Sequence, residues 1–403
     1  MPLHRSRYPL QRDLTFGIEF EFFVHENVLP SGADERDEQI LDSSSPIPIN
    51  WSTDAAYHIK RILDRLNLHK RVVVAGYLQR PPRRLTQDER NFSAWVITTD
   101  VTLQPDNGNY RPWIGLEVKS PILRNRTEIC REVQRVSETL LQDAYVGFNP
   151  KCGLHVHVGR GQDGIPLAAC QRLFSLLFLY AERILDPLFR SDRRGNIHCE
   201  NLETHALVRR LPQWRFRMTG TPPEQWLNAC FPGGAPGVGA PGDERERFVA
   251  LRKIWSAGDI NEFCDMNVVG GVRLAVNFAG LKVRPHPGPD DKPTIEFRKA
   301  EGDLNQEGNI DFLLYWPQVC MGLVAFALGD GLDEFARVMR EAHAALNAPD
   351  EAEKLRRFLN SMGFDRTVVE MLCERADYLS RDPYPDAPTA QIVEPPLSLD
   401  LLF

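Results

Sequence analysis

The 403-residue chain has no C-x-x-C pair and no long basic track, and each absence narrows its function. Its eight cysteines are scattered, which fits reduced thiols better than a disulfide framework, so a cytoplasmic location is expected. Acidic residues outnumber basic ones, 55 to 48, for a net charge of −7. The longest basic cluster is the short "RPPRR" at Arg80 to Arg84, a solvated turn rather than a phosphate track, so no nucleic-acid partner is expected. The apolar stretch "LFSLLFLYA" from Leu173 is followed at once by Glu182 and Arg183 and reads as a buried helix, too short for a bilayer span. The segment "MPLHRSRYPLQRDL" lacks the apolar core and small-residue cleavage site of a secretory signal. No membrane partner is expected either. No internal repeat is present, and the length is enough to bury a large core.

What is present is a series of alternating strands. "TFGIEFEFFV" at 15 to 24 sets Ile18, Phe20 and Phe22 on one side and Glu19 and Glu21 on the other. A helix is expected from Asp54 to Leu68 and a strand at 71 to 77, followed by a polar, proline-bearing loop over 78 to 93. Two strands, 93 to 103 and 113 to 123, precede a helix from Thr127 to Ala144, the strand "CGLHVHVG" at 152 to 159, and an apolar helix from Leu167 to Leu185. The middle third is less regular, and "FPGGAPGVGAPG" at 231 to 242 reads as a flexible loop or lid. "GVRLAVNFAG" at 271 to 280 and "TIEFRKA" at 294 to 300 are expected to pair antiparallel. Helices follow at 309 to 328, 332 to 346, 352 to 362 and 366 to 378, then a proline-rich tail over 380 to 403. Residues 1 to 379 are expected to form one catalytic domain.

Residues two apart on a strand share a face about 7 Å apart. Glu19 and Glu21, His155 and His157, Arg273 and Asn277, Glu296 and Arg298 therefore pair on polar faces, and Glu117 lies opposite Leu116 and Val118. Taken singly, each pattern is as well explained by solvated surface, structural histidines or a cross-strand salt bridge, and Asp100 by the start of a turn. Five strands, each apolar on one side and chemically equipped on the other, have no such single explanation. Converging carboxylates repel unless cations neutralise them, and oxygen-rich sites with an occasional imidazole suit Mg²⁺ or Mn²⁺. Mg²⁺ commonly shares phosphate oxygens with a substrate, and nearby arginines supply a fork for phosphate or carboxylate.

In order and spacing, "FGIEFEF", "WVITTDVTL", "GLEVKSPIL", "CGLHVHVG", "RLAVNF" and "TIEFRKAEGDLN" resemble the amidoligases, carboxylate-amine ligases of the glutamine synthetase and glutamate-cysteine ligase superfamily. The resemblance spans residues 16 to 305. It implies an α+β fold whose curved, mainly antiparallel sheet forms a funnel with helices on its outer face. It also implies ATP and Mg²⁺ (or Mn²⁺) as cofactors, an acyl-phosphate intermediate, and small-molecule or peptide carboxylate and amine substrates. By the same resemblance Glu19, Glu21, Glu117, His155 and Glu296 are metal ligands, and His157 is open to metal or phosphate. Arg298 would act at the transferring phosphate, Arg273 at nucleotide phosphate or substrate carboxylate, and Asp100 and Asn277 in supporting or amine-positioning roles. The loop "RKAEGDLN" lacks the histidine or aromatic that the family commonly has after the arginine, so substrate contacts are expected to differ there. Substrate choice is expected to lie in the segment from about 195 to 241. Two other classes fit the same residues: a metal-dependent hydrolase, which leaves the arginines unexplained, and a non-catalytic nucleotide- or protein-binding relative.

Overall fold

The computed structural model describes residues 13–25, 51–75, 93–100, 102–103, 113–124, 127–144, 146–161, 164–194, 196–206, 208, 219–234, 236, 242–267, 273–283, 293–303 and 309–381. The "RPPRR" turn, nearly all of the 78 to 93 loop, half of the 231 to 242 segment and nearly all of the proline-rich tail lie outside the described residues.

Among the described residues nine strands form one sheet. They are β1 (Thr15–His25), β2 (Val72–Val74), β3 (Trp95–Thr99), β4 (Trp113–Lys119), β5 (Leu123–Arg124), β6 (Val146–Gly147), β7 (Gly153–Gly159), β8 (Val276–Asn277) and β9 (Thr294–Glu301). The main path runs β2-β3-β4-β1-β7-β9-β8, with β5 and β6 also pairing with β1. Every ladder is antiparallel except that between β2 and β3. The fold is therefore α+β with a large, mostly antiparallel sheet.

Alternation decides which face is dry. Phe16, Ile18, Phe20 and Phe22 of β1, Leu116 and Val118 of β4, Leu154, Val156 and Val158 of β7, and Ile295 and Phe297 of β9 are all buried in one core. The helix Asn309–Leu328 packs on β1 and β7. It is apolar nearly all round, which suits a helix enclosed by others. By length and composition its Asp311–Leu328 portion matches a bilayer span more closely than "LFSLLFLYA" does, yet 72% of it is buried within the fold. The helix Thr127–Asp143 presents a narrower apolar stripe, burying Val133, Val136 and Leu140 against it. The helix Trp51–Asp64 covers β2, β3 and β4, and ends before Leu68, where Asn67 takes a left-handed φ of 48°.

Three expectations change in detail. The helix expected over 167 to 185 is interrupted by a π turn at Leu177–Ala181. The strand expected over 271 to 280 keeps only Val276–Asn277, because the Asn277 side chain accepts the Ala279 N–H at 2.9 Å and turns the chain into a 3₁₀ segment. It does pair antiparallel with β9. The irregular middle third contains helices Glu224–Ala229, Gly242–Trp255 and Ile260–Asn267. The last carboxyl-terminal helices follow the expected positions within a few residues, at Leu332–Leu346, Glu351–Ser361 and Arg366–Arg381.

Candidate metal and phosphate site

On the face of the sheet opposite the core, register does what spacing alone cannot. Glu19 of β1 lies opposite Lys119 of β4 on one side and His155 of β7 on the other; Glu21 lies opposite Glu117, and Glu117 opposite Thr98. Beyond β7, His157 opposes Glu296, which in turn opposes Asn277. Six strands thus deliver their polar side chains to one row.

The side chains converge. His155 Nδ1 is 3.5 Å from Glu19 Oε2 and 3.4 Å from Glu296 Oε1, and its Nε2 is 3.6 Å from Glu21 Oε2. His157 Nε2 is 3.1 Å from Glu19 Oε1 and 3.8 Å from Glu296 Oε1. These distances suit ion pairing, yet His155 Nδ1 and His157 Nε2 remain buried without an aligned hydrogen bond. The other nitrogen of His157, Nδ1, lies 3.3 Å from Thr294 Oγ1; a proton held there would leave the Nε2 lone pair facing the carboxylates. Among the described residues two groups have ligand atoms within 4.8 Å of one another: Glu19, His157 and Glu296, and Glu19, Glu117 and His155. Glu19 belongs to both. Carboxylate oxygens joined by unpartnered imidazole nitrogens are a donor set that fits a divalent cation.

Glu21 is held differently. Its Oε2 accepts the Gly153 N–H at 2.7 Å, and a Cβ at Gly153 would lie 2.7 Å from His155 Nε2 and 3.1 Å from Glu21 Oε2. A larger residue there would have to displace these side-chain ends. Glu296 is clamped from both sides, accepting from Asn277 Nδ2 at 3.0 Å and from Arg298 Nη1. Arg298 keeps its buried Nε unpartnered.

Arg298 reaches this face at a bulge. Leu154 pairs with Ala300 but Val156 with Phe297, so His155 faces an extra residue on β9. Buried Arg193 braces that irregularity: Nη2 donates to the Arg298 carbonyl at 2.6 Å, Nε to that of Lys299 at 3.3 Å and Nη1 to that of Pro150 at 2.9 Å. Lys299 donates to Asp186 and, at 2.5 Å, to Asn201. Sequence reasoning missed Arg193, which lies in a short 3₁₀ turn with no periodic signal. It also missed Lys119, two residues after Glu117, where alternation would have placed it. Lys119 Nζ is 2.9 Å from Glu117 Oε2 and 3.6 Å from Glu19 Oε1.

Charge follows from these contacts. Burial alone would raise the Glu19 carboxyl, but the neighbouring His157, His155 and Lys119 hold it well below the usual range. Burial is likewise outweighed at Glu296 by Arg298 and the two histidines, which lower it. Burial and the neighbouring Glu19 push Glu117 well above the usual carboxylate range, with Lys119 opposing. Both carboxylates raise Lys119 despite its burial.

Two candidates stand apart. Asp100 follows β3 and accepts from the N–H and hydroxyl of Thr102, both at 2.7 Å, closing a turn that packs over Gly115. Arg273 is half-buried beside the Leu274–Glu200 bridge, where its carbonyl accepts the Glu200 N–H. Among the described residues neither forms an ion pair with the carboxylates of the cluster.

The sequence model of the family described as "Putative amidoligase enzyme" matches residues 12–220, just over half the chain. The match carries Glu19, Glu21, Glu117, Lys119, His155, His157 and Arg193, while Asn277, Glu296 and Arg298 come from beyond it. No curated protein matches the chain.

Proposed function

The chain belongs to the amidoligase family, and from that premise we propose that it is an ATP- and Mg²⁺-dependent carboxylate-amine ligase working through an acyl phosphate. The observation that carries the reading is the pair of carboxylate and imidazole groups sharing Glu19, with Arg298 beside Glu296 at its edge. We extend the reading to a glutamine synthetase-like funnel, with this polar sheet face as its wall, and to a cytosolic location, in keeping with the seven described cysteines being free and buried.

In this reading Glu19, His157 and Glu296, and Glu19, Glu117 and His155, are the residues that hold metal, with Glu21 beside His155. Bound Mg²⁺ or Mn²⁺ neutralises nucleotide phosphate charge. Arg298 turns its guanidinium from Glu296 to the γ-phosphate and stabilises the charge spread over its oxygens during transfer. A substrate carboxylate oxygen forms a bond to the γ-phosphorus as the bond to ADP breaks. An amine nitrogen then attacks the activated carbonyl carbon, the carbon–oxygen bond to phosphate breaks, and the nitrogen loses a proton to solvent. Asn277 orients Glu296; Arg273 receives nucleotide phosphate or substrate carboxylate; Asp100 supports the amine side. The substrates are small-molecule or peptide carboxylates and amines. The test is ADP release by the purified protein with ATP and Mg²⁺ against pooled amino acids, small amines and peptides. Stimulated release with a matching condensation mass is expected; metal-dependent hydrolysis of the pool without ATP would replace the ligase with a hydrolase.

A further inference from the structure

We propose that Lys119 is a built-in cation of this centre, its ammonium taking the place of a divalent ion between Glu117 and Glu19. Glu19, His157 and Glu296 then form the single metal site that the protein fills without nucleotide. The inference rests on the metal reading above and deepens it.

Register places Lys119 on the same sheet face as Glu117 and directly opposite Glu19. Its ammonium contacts an oxygen of each, at 2.9 and 3.6 Å, and its side chain is only 32% exposed. Those carboxylates, with His155, are one of the two groups able to hold a metal. An ammonium seated on both and a dication bound by both compete for the same two carboxylates and repel at that range. The second group is not spanned in this way. Among the described residues Arg298 touches Glu296 there but makes no ion pair with Glu19, and His157 Nε2 has no aligned hydrogen-bond partner.

The test is Mn²⁺ binding to the full chain without nucleotide, by calorimetry and by loss of the free-ion electron paramagnetic resonance signal. Wild type is expected to bind one equivalent. Lys119→Met, which keeps the chain length and removes the charge, is expected to bind two. Two equivalents in wild type, or one in a folded Lys119→Met, would overturn the proposal. Glu117→Gln supplies a second arm: it is expected to retain the single equivalent, and loss of that equivalent would contradict the placement. Absence of any Mn²⁺ binding by folded wild type would remove the metal reading itself, and this proposal with it.

Discussion

Replacing Glu182 by glutamine tests how a buried charge behind the site sheet limits stability. Glu182 follows the π turn and is buried; its Oε2 accepts the Leu202 N–H at 2.9 Å, while Oε1 has no partner. It lines a small apolar cavity with Phe189, Val276, Phe297 and Trp316, on the core side of β8 and β9. Burial, reinforced by Asp186 and opposed by Lys299, lifts its carboxyl from the ordinary 4.5 to about 8. The folded protein therefore keeps a proton that the unfolded chain releases near pH 4.5. Between that pH and about 8 the native state binds more protons, so stability falls as pH rises, and levels off above. A shift of this size corresponds to roughly 5 kcal/mol as an upper figure. Glutamine keeps an acceptor for Leu202 and carries no charge, so the variant should match wild type near pH 4.5 and exceed it by several kcal/mol at about pH 8. Urea unfolding followed by tryptophan fluorescence across that range measures the difference, with Trp316 reporting from the cavity itself. Parallel pH profiles for the two proteins would refute the account of Glu182.

Arg193→Lys should destabilise by about 2–4 kcal/mol, since an ammonium cannot reach the carbonyls of Pro150, Arg298 and Lys299 together; thermal unfolding reads the cost. Gly153→Ala pushes a methyl group against His155 and Glu21, and calorimetry should show Mn²⁺ affinity falling by roughly tenfold or more. Glu19→Gln should abolish ADP formation while circular dichroism stays near wild type, because it removes the one carboxylate common to both groups; near-normal turnover would show the assignment to be wrong. Arg298→Lys should retain nucleotide binding but lose much of the rate in single-turnover assays, since the planar fork is gone.

The residue types at the site were legible because strict alternation in β1, β7 and β9 separates their apolar and polar faces. Glu19, Glu21, His155, His157, Glu296 and Arg298 could each be placed on a polar face from their own strands. Which of them meet could not be read, because Glu19 opposite His155 and His157 opposite Glu296 are pairings across more than a hundred residues. Lys119 was within reach of the same alternation, and its role as partner to Glu19 appears only once β1 and β4 are in register. The β9 bulge and its brace, Arg193, leave no periodic trace, since both depend on tertiary hydrogen bonds. Long helices such as Asn309–Leu328 showed themselves by continuous apolar composition. The helix Gly242–Trp255 did not, although Asp243 and Glu244 in its first turn and Arg252 and Lys253 in its last are the charges a helix dipole favours. The preceding Gly/Pro segment masked its start.

The central claim is that this chain activates a carboxylate with ATP, and trapping the activated carboxylate with hydroxylamine tests it without knowing the natural amine. Wild-type protein with ATP, Mg²⁺, hydroxylamine and a pool of amino acids and small peptides should release ADP and give a hydroxamate in equal amounts, both lost in Glu19→Gln. A protein that binds no nucleotide in the presence of Mg²⁺, and yields neither product, would contradict the account.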